Sequence, residues 1–238
     1  MDRFAASVVL AFILAASVAA SAPPPPLMLN AAFGAPYTTL TDDGLLDRLL
    51  AEAGRRIGRR IDVQALPAER ALLNANAGVE DGDAMRIAGL SRLYPHLDQV
   101  PEVLFEMELV AFAREPLPMD QGWASLEGLE VAVVTGWKIV EANTDPGNCT
   151  AVRTPELALD LVARGRADVA VLGRRYGLAV LDAEHHAALR PLAPPLATLP
   201  MFIYLHHRHA ALVDPLAEAL RAMKADGTYA RILEGGPR

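Results

Sequence analysis

The chain has 238 residues, a formal net charge of −7 and one cysteine, Cys149. An acidic balance leaves little surface to neutralise phosphates, so nucleic acid is not expected as a partner. A lone thiol allows no internal disulfide, so stability must come from an apolar core, which roughly 215 residues can bury in one or two domains.

Residues 1–22 read as a signal peptide: Arg3, the apolar run "AASVVLAFILAASVAA", then small residues. Cleavage after Ala20 is favoured over cleavage after Ala22, because Pro23 would follow the second site while Val18 and Ala20 fit the small-residue pockets of the first. The first twenty residues carry one acid (Asp2) and one base (Arg3), so the net charge survives their loss. The run is short for a membrane span, and no cysteine stands nearby to take a lipid. A soluble periplasmic or secreted protein is expected, with "SAPPPPL" as a stiff tether.

"LMLNAAF" is an uninterrupted apolar run ended by "GAPY", the pattern of a buried strand. Residues 41–58 form a helix in this reading, with Thr41 as N-cap, Asp42 and Asp43 in the first turn, and Leu45, Leu46, Leu49, Leu50, Ala53 and Ile57 on one face. "RIDVQAL" is a second strand and "AERALLNANAG" a second helix closed by Gly78. Strand, helix, strand, helix points to a mainly parallel sheet with covered faces.

"VPEVLFEMELVAFARE" carries further strand-like runs before Pro and Gly break the pattern in "PLPMDQGWASLEG". A second unit then begins with the strand, Gly turn and helix start of "LEVAVVTGWKIVEAN". In "RTPELALDLVARGRADVAVLG" Thr154 is the N-cap, Pro155 the first helical residue and Gly165 the stop, and residues 169–172 form the next strand. "PMFIYLHHRH" reads as a strand returning the chain, and the tail supplies one or two helices expected to pack on the first unit. Two lobes joined by two crossings leave a cleft between them. The expected lobes are residues 23–114 plus 195–238, and 115–194.

The order and spacing of "PYTTLTDDGLLDRLLAEAGRRIG", "AERALLNANAGVEDGDAMRI", "LEGLEVAVVTGW", "TPELALDLVARGRADVAVL" and "IYLHHRHAALVDPLAEALRAMKADGTYARIL" resemble the periplasmic solute-binding proteins of family 3, the polar amino acid ABC transporter type. The resemblance covers nearly all of the mature chain. It implies an α/β fold of two lobes, the type II periplasmic binding protein-like fold, with a hinge and an interlobe cleft. It also implies a small polar ligand, anionic or zwitterionic, and delivery by a monomer to an ABC transporter permease in the inner membrane. No cofactor, metal or catalytic residue is expected. The ligand-facing positions it implies are Tyr37, Arg70, Arg86, Ser91, Thr135, Gly136 and Trp137, which suits the habit of open α/β sheets of binding ligands at the carboxyl ends of their strands. Two positions depart from the family's pattern: Arg92 is displaced from the usual carboxylate-gripping arginine, and Gly173 stands where an amine-holding Asp is usual.

Three constellations carry alternatives. "GVEDGDAMRI" holds three carboxylates and an arginine in ten residues, but turns apolar too early for a calcium loop. It reads as a turn in which Gly78 and Gly82 take unusual backbone angles and the acids face water. Arg86 is then either a bidentate grip on an anion or the partner of Asp81 or Asp83. In "HHRH" two imidazoles on a strand could begin a metal site, yet nothing local completes it, and a solvated turn is preferred. Trp137 is either a stacking wall for the ligand or a packing residue between lobes. A periplasmic enzyme on the same fold would need Glu69, Asp83 or Glu106 in the cleft. An accessory protein of a redox or sensory system would keep the fold with a degraded cleft.

Overall fold

The computed structural model describes residues 24–32, 34–181 and 185–235. The expected signal peptide lies outside them.

Strand β1 (Leu27–Ala31) leads to helix α1 (Leu45–Arg56), then β2 (Ile61–Ala65), α2 (Ala68–Asn76) and β3 (Gly82–Arg86). A short β4 (Leu97–Gln99) precedes the long β5 (Phe105–Ala113). The next unit comprises β6 (Val131–Val134), α3 (Lys138–Glu141), β7 (Cys149–Val152), α4 (Pro155–Ala163), β8 (Val169–Gly173), α5 (Arg174–Val180) and β9 (Arg190–Pro191). Then β10 (Ala197–His206) returns, followed by α6 (Val213–Ala225) and α7 (Thr228–Leu233).

The strands run in the order β2-β1-β3-β10-β5-β8-β6-β7, with β4 beside β10 and β9 beside β5. β1 is parallel to β2 and β3, and β6 is parallel to β7 and β8. Two strands join these parallel groups. The last residues of β10 pair antiparallel with β3, while Ala197–Met201 of the same strand pairs with Phe105–Leu109 of β5. β5 continues outward to pair with β8. The hinge is thus a two-stranded antiparallel ribbon whose outer ends belong to different lobes.

Helix α1 buries Leu45, Leu46, Leu49, Leu50 and Ala53, the face its apolar spacing dictates. Its start differs from the expected Thr41 cap. Gly44 is the N-cap, and its N–H and that of Thr39 both donate to Asp47 Oδ2, at 3.0 and 2.9 Å. Thr39, Thr41 and Asp43 instead bond to one another in the preceding loop. Only glycine fits at 44, since a Cβ there would lie 2.3 Å from the Tyr37 carbonyl oxygen. Helix α4 begins as its sequence requires: Pro155 is its first residue, and the Leu157 N–H donates to Thr154 Oγ1 at 3.4 Å. The closing helices pack on α1, where Arg48 donates to the Ile232 carbonyl at 3.0 Å and Arg56 pairs with Asp226 at 2.7 Å.

Candidate ligand cleft

The carboxyl ends of β1, β2 and β3 face those of β6 and β7 across the ribbon. Two adjacent hollows lie there, both lined by Ala32 and Trp137. The deep one, of about 60 Å³, rests on the hinge: Met107 and Leu109 of β5 and Leu199 and Met201 of β10 form its floor. Leu72, Met85, Ile87, Leu90 and Ile139 close its sides, with Arg86 and Lys138 at its margin. The outer hollow, of about 310 Å³, is the mouth, where Ala65, Pro67 and Ala68 of one lobe meet Thr135, Arg153, Thr154, Glu156 and Tyr176 of the other.

Trp137 divides the two. It is 8 % exposed, and its ring stacks on Tyr176 with centroids 6.4 Å apart and planes 28° off parallel. Gly136 before it has φ +88°, and a Cβ there would stand 3.1 Å from the Ala68 Cβ. The lobes touch at this point, so the turn needs glycine for its backbone angle and for the close approach. Thr135 donates its hydroxyl to the Val152 carbonyl at 3.1 Å and forms the rim of the mouth. Next to it an ion pair spans the lobes: Lys138 Nζ lies 2.9 Å from Glu69 Oε2, and Tyr94 donates to the other Glu69 oxygen at 3.3 Å. The hydrogen bond from Lys138 holds the Glu69 carboxyl below its ordinary range.

Arg86 is 7 % exposed and Asp83 is fully buried. The guanidinium grips Asp83 bidentately at 2.8 and 2.8 Å and also donates to the Ala68 carbonyl at 3.0 Å. The pairing with Asp83 expected as one alternative for Arg86 is present, and Arg86 also lines the deep hollow. Burial pushes the Asp83 carboxyl up, against the pull of Arg86. Between them Met85 takes φ +63°, where the β3–β10 register shifts. A left-handed non-glycine residue costs about 1–3 kcal/mol and needs a surrounding structure that enforces it. Here the irregularity places Met85 on the wall of the deep hollow.

The remaining expected positions lie elsewhere. Arg70 is on the exposed side of α2 and Ser91 gives its hydroxyl to the Leu97 carbonyl at 2.7 Å; neither lines either hollow. Tyr37 lines a neighbouring hollow of about 650 Å³ with Phe105, Glu106, Met107 and Glu108, and its ring stands edge-on to Tyr176 of the mouth, with centroids 6.3 Å apart. Tyr37 stacks on Phe105 at 5.5 Å, and burial pushes its hydroxyl up to about 12. Residues not anticipated at the cleft are Arg153 and Tyr176. Arg153 sits one residue before the N-cap of α4, a position that the strand–helix signature around Thr154 already marks.

The expectation of solvated acids in "GVEDGDAMRI" is corrected. Glu80 accepts from Asn30 and Gln64 at 3.0 and 2.9 Å, and Asp81 accepts from the Met28 N–H at 2.8 Å and pairs with Arg208 and His209. Burial alone would raise Asp81, but these donors bring it below its usual range. Gly78 has φ +72°, whereas Gly82 has an ordinary angle and is required because a Cβ would lie 2.2 Å from the Tyr204 carbonyl oxygen. β10 ends at His206, so His207 and His209 lie in a 3-10 turn, not on a strand face. Among the described residues no group of three His, Cys, Asp or Glu side chains could hold a metal, and no helix is long and apolar enough to cross a membrane.

No family model matches the chain. An uncharacterized protein of Shewanella oneidensis is 24 % identical over 184 residues, covering 74 % of this chain and 69 % of that one. Solved structures are similar over most of the chain. A histidine kinase sensor domain with similarity to periplasmic binding proteins superposes with a TM-score of 0.75 at 20 % identity, covering 90 % of this chain and 96 % of that one. An ancestral arginine-binding protein bound to arginine gives 0.72 at 17 % identity, with 90 % and 99 % covered. The arginine-, lysine-, histidine-binding protein of Geobacillus stearothermophilus gives 0.71 at 15 % identity, with 89 % and 94 % covered. The chain has the two-lobed fold of the type II periplasmic binding proteins.

Proposed function

We propose that this protein belongs to the family 3 solute-binding proteins and captures a small amino acid-like solute between its lobes, for delivery to an ABC transporter permease. The observation that carries the reading is the paired hollow at the strand ends, floored by the hinge and closed by contacts between lobes at Gly136–Ala68 and Lys138–Glu69. A solute seated there touches both lobes and the ribbon between them, so binding favours the closed form by its differential affinity for it. Arg153 and the N-terminal turn of α4 offer the mouth donors for a carboxylate, and Glu156 beside them offers an acceptor for an amine. Trp137 is the apolar wall. The lobes divide at residues 114 and 195, and the exported, monomeric form is the working one.

Thermal denaturation against amino acids, organic acids, polyamines and sugars tests this. A solute at a hundred times its dissociation constant adds about 2.7 kcal/mol to stability. The melting temperature should rise with at least one amino acid or small carboxylate, and the rise should shrink on Arg153→Ala or Trp137→Ala. A flat response across the whole library contradicts the reading.

A sensory role is the second reading, favoured by the likeness to the histidine kinase sensor domain. It uses the same cleft and closure but passes the signal to a partner protein. Copurification of a kinase or other partner in place of a permease would favour it.

A further inference from the structure

We infer that the solute carries a short branched aliphatic side group that fills the deep hollow beneath Trp137. The inference rests on the receptor reading above and adds the class of ligand. The hollow's floor is made by four apolar side chains, Met107, Leu109, Leu199 and Met201, two from each hinge strand. No carboxylate lines it. The nearest acids are already engaged: Asp83 by Arg86, and Glu69 by Lys138 and Tyr94. A guanidinium or ammonium group inserted there would be buried without a counter-ion, which is unfavourable. An inserted carboxylate would meet two cations that already have partners: Arg86, bound to Asp83 and the Ala68 carbonyl, and Lys138, paired with Glu69 and close to Glu141.

Size narrows the class further. An apolar cavity of about 150 Å³ holds a benzene ring, and this one is about 60 Å³. On that scale about two or three aliphatic carbons fit, as in an ethyl or isopropyl group; an aromatic ring does not without repacking. The methionine walls supply soft, adaptable contact, and the backbone irregularity that sets Met85 on this wall is a feature that strand regularity alone would not produce. The polar end of the solute then lies in the mouth, beside Thr135 and Arg153.

The test is calorimetric titration of the protein with glycine, alanine, valine, leucine, phenylalanine, lysine and aspartate, and in parallel with acetate, propionate and isovalerate. The two series separate a zwitterionic head from a simple carboxylate. Affinity should rise about fourfold per added methylene up to valine, and fall for phenylalanine. Ile139 is half-buried on the hollow's wall, and Ile139→Phe should move the optimum to alanine. Leu199→Ala should move it to phenylalanine, so the inference does not depend on one variant folding. Best binding of lysine or aspartate, or equal affinity across the series, overturns the inference and leaves the receptor reading intact. Absence of binding by every probe overturns the receptor reading and this inference with it.

Discussion

Arg86 offers the sharpest separation between holding a ligand and holding the fold. In Arg86→Ala the fully buried Asp83 loses both of its 2.8 Å bonds and the Ala68 carbonyl loses a donor. Removing one partner of a buried ion pair costs about 3–5 kcal/mol, because the other charge stays behind without solvent. That is a large part of the about 5–15 kcal/mol by which a domain is stable. Replacing both partners by apolar side chains of similar size, Asp83→Leu with Arg86→Met, removes the stranded charge. It should recover all but about 1–2 kcal/mol, the remainder being the unpaired carbonyl. Urea denaturation of the three forms reads this directly, as a shift of midpoint at constant slope. A loss below about 1 kcal/mol in Arg86→Ala, or a double variant no more stable than the single, would refute the structural role and return Arg86 to ligand recognition.

Other outcomes follow from the contacts between the lobes and at α4. Gly136→Ala forces a side chain at φ +88° against Ala68, so it should cost about 1–2 kcal/mol and hold the lobes further apart, seen as a larger radius of gyration in X-ray scattering. Glu69 has a lower affinity for its proton when paired with Lys138 than when the lobes part. Its contribution to closure is therefore present above about pH 4.5, the carboxyl's ordinary value, and is lost as the pH falls below it. With both partners nearly half exposed the effect is about 0.2–1 kcal/mol and weakens with salt. Scattering profiles that coincide at pH 3.5 and pH 7 would count against it. Thr154→Ala removes the cap of α4 and should cost about 1 kcal/mol in the same urea assay.

What could be read from the sequence was what neighbouring residues settle among themselves. Thr154, Pro155 and Gly165 fix α4 because caps and stops act within one turn. The leucines of α1 state their own face. Helix α5 escaped because it leaves β8 without a break and has Gly177 in its middle, packed so closely that a Cβ would lie 2.3 Å from the Phe112 ring. The acids at 80–83 were misread as solvated because their partners, Asn30, Gln64, Arg208 and His209, are brought in by the sheet from far along the chain. The contacts of Tyr37 with Phe105 and Tyr176 were not legible, because the partners of a residue in the turn after β1 are supplied by strands and helices much later in the chain. Thr135, Gly136 and Trp137 were named through the family resemblance; the Gly turn after β6 marks their place in the chain, and they line the two hollows.

The strand order has a consequence for assembly. β3 lies between β1 and β10, yet β10 is made of residues 197–206, more than a hundred positions later. The lobe whose strands come first along the polypeptide is therefore the last to be finished. Until β10 arrives, Gly82–Arg86, buried along its whole length in the native state, presents an unpaired edge. Strands β6, β7 and β8 find their neighbours within a stretch of about forty residues. The later-made lobe can zip up from local pairings, while the earlier-made one must wait for the chain to come back.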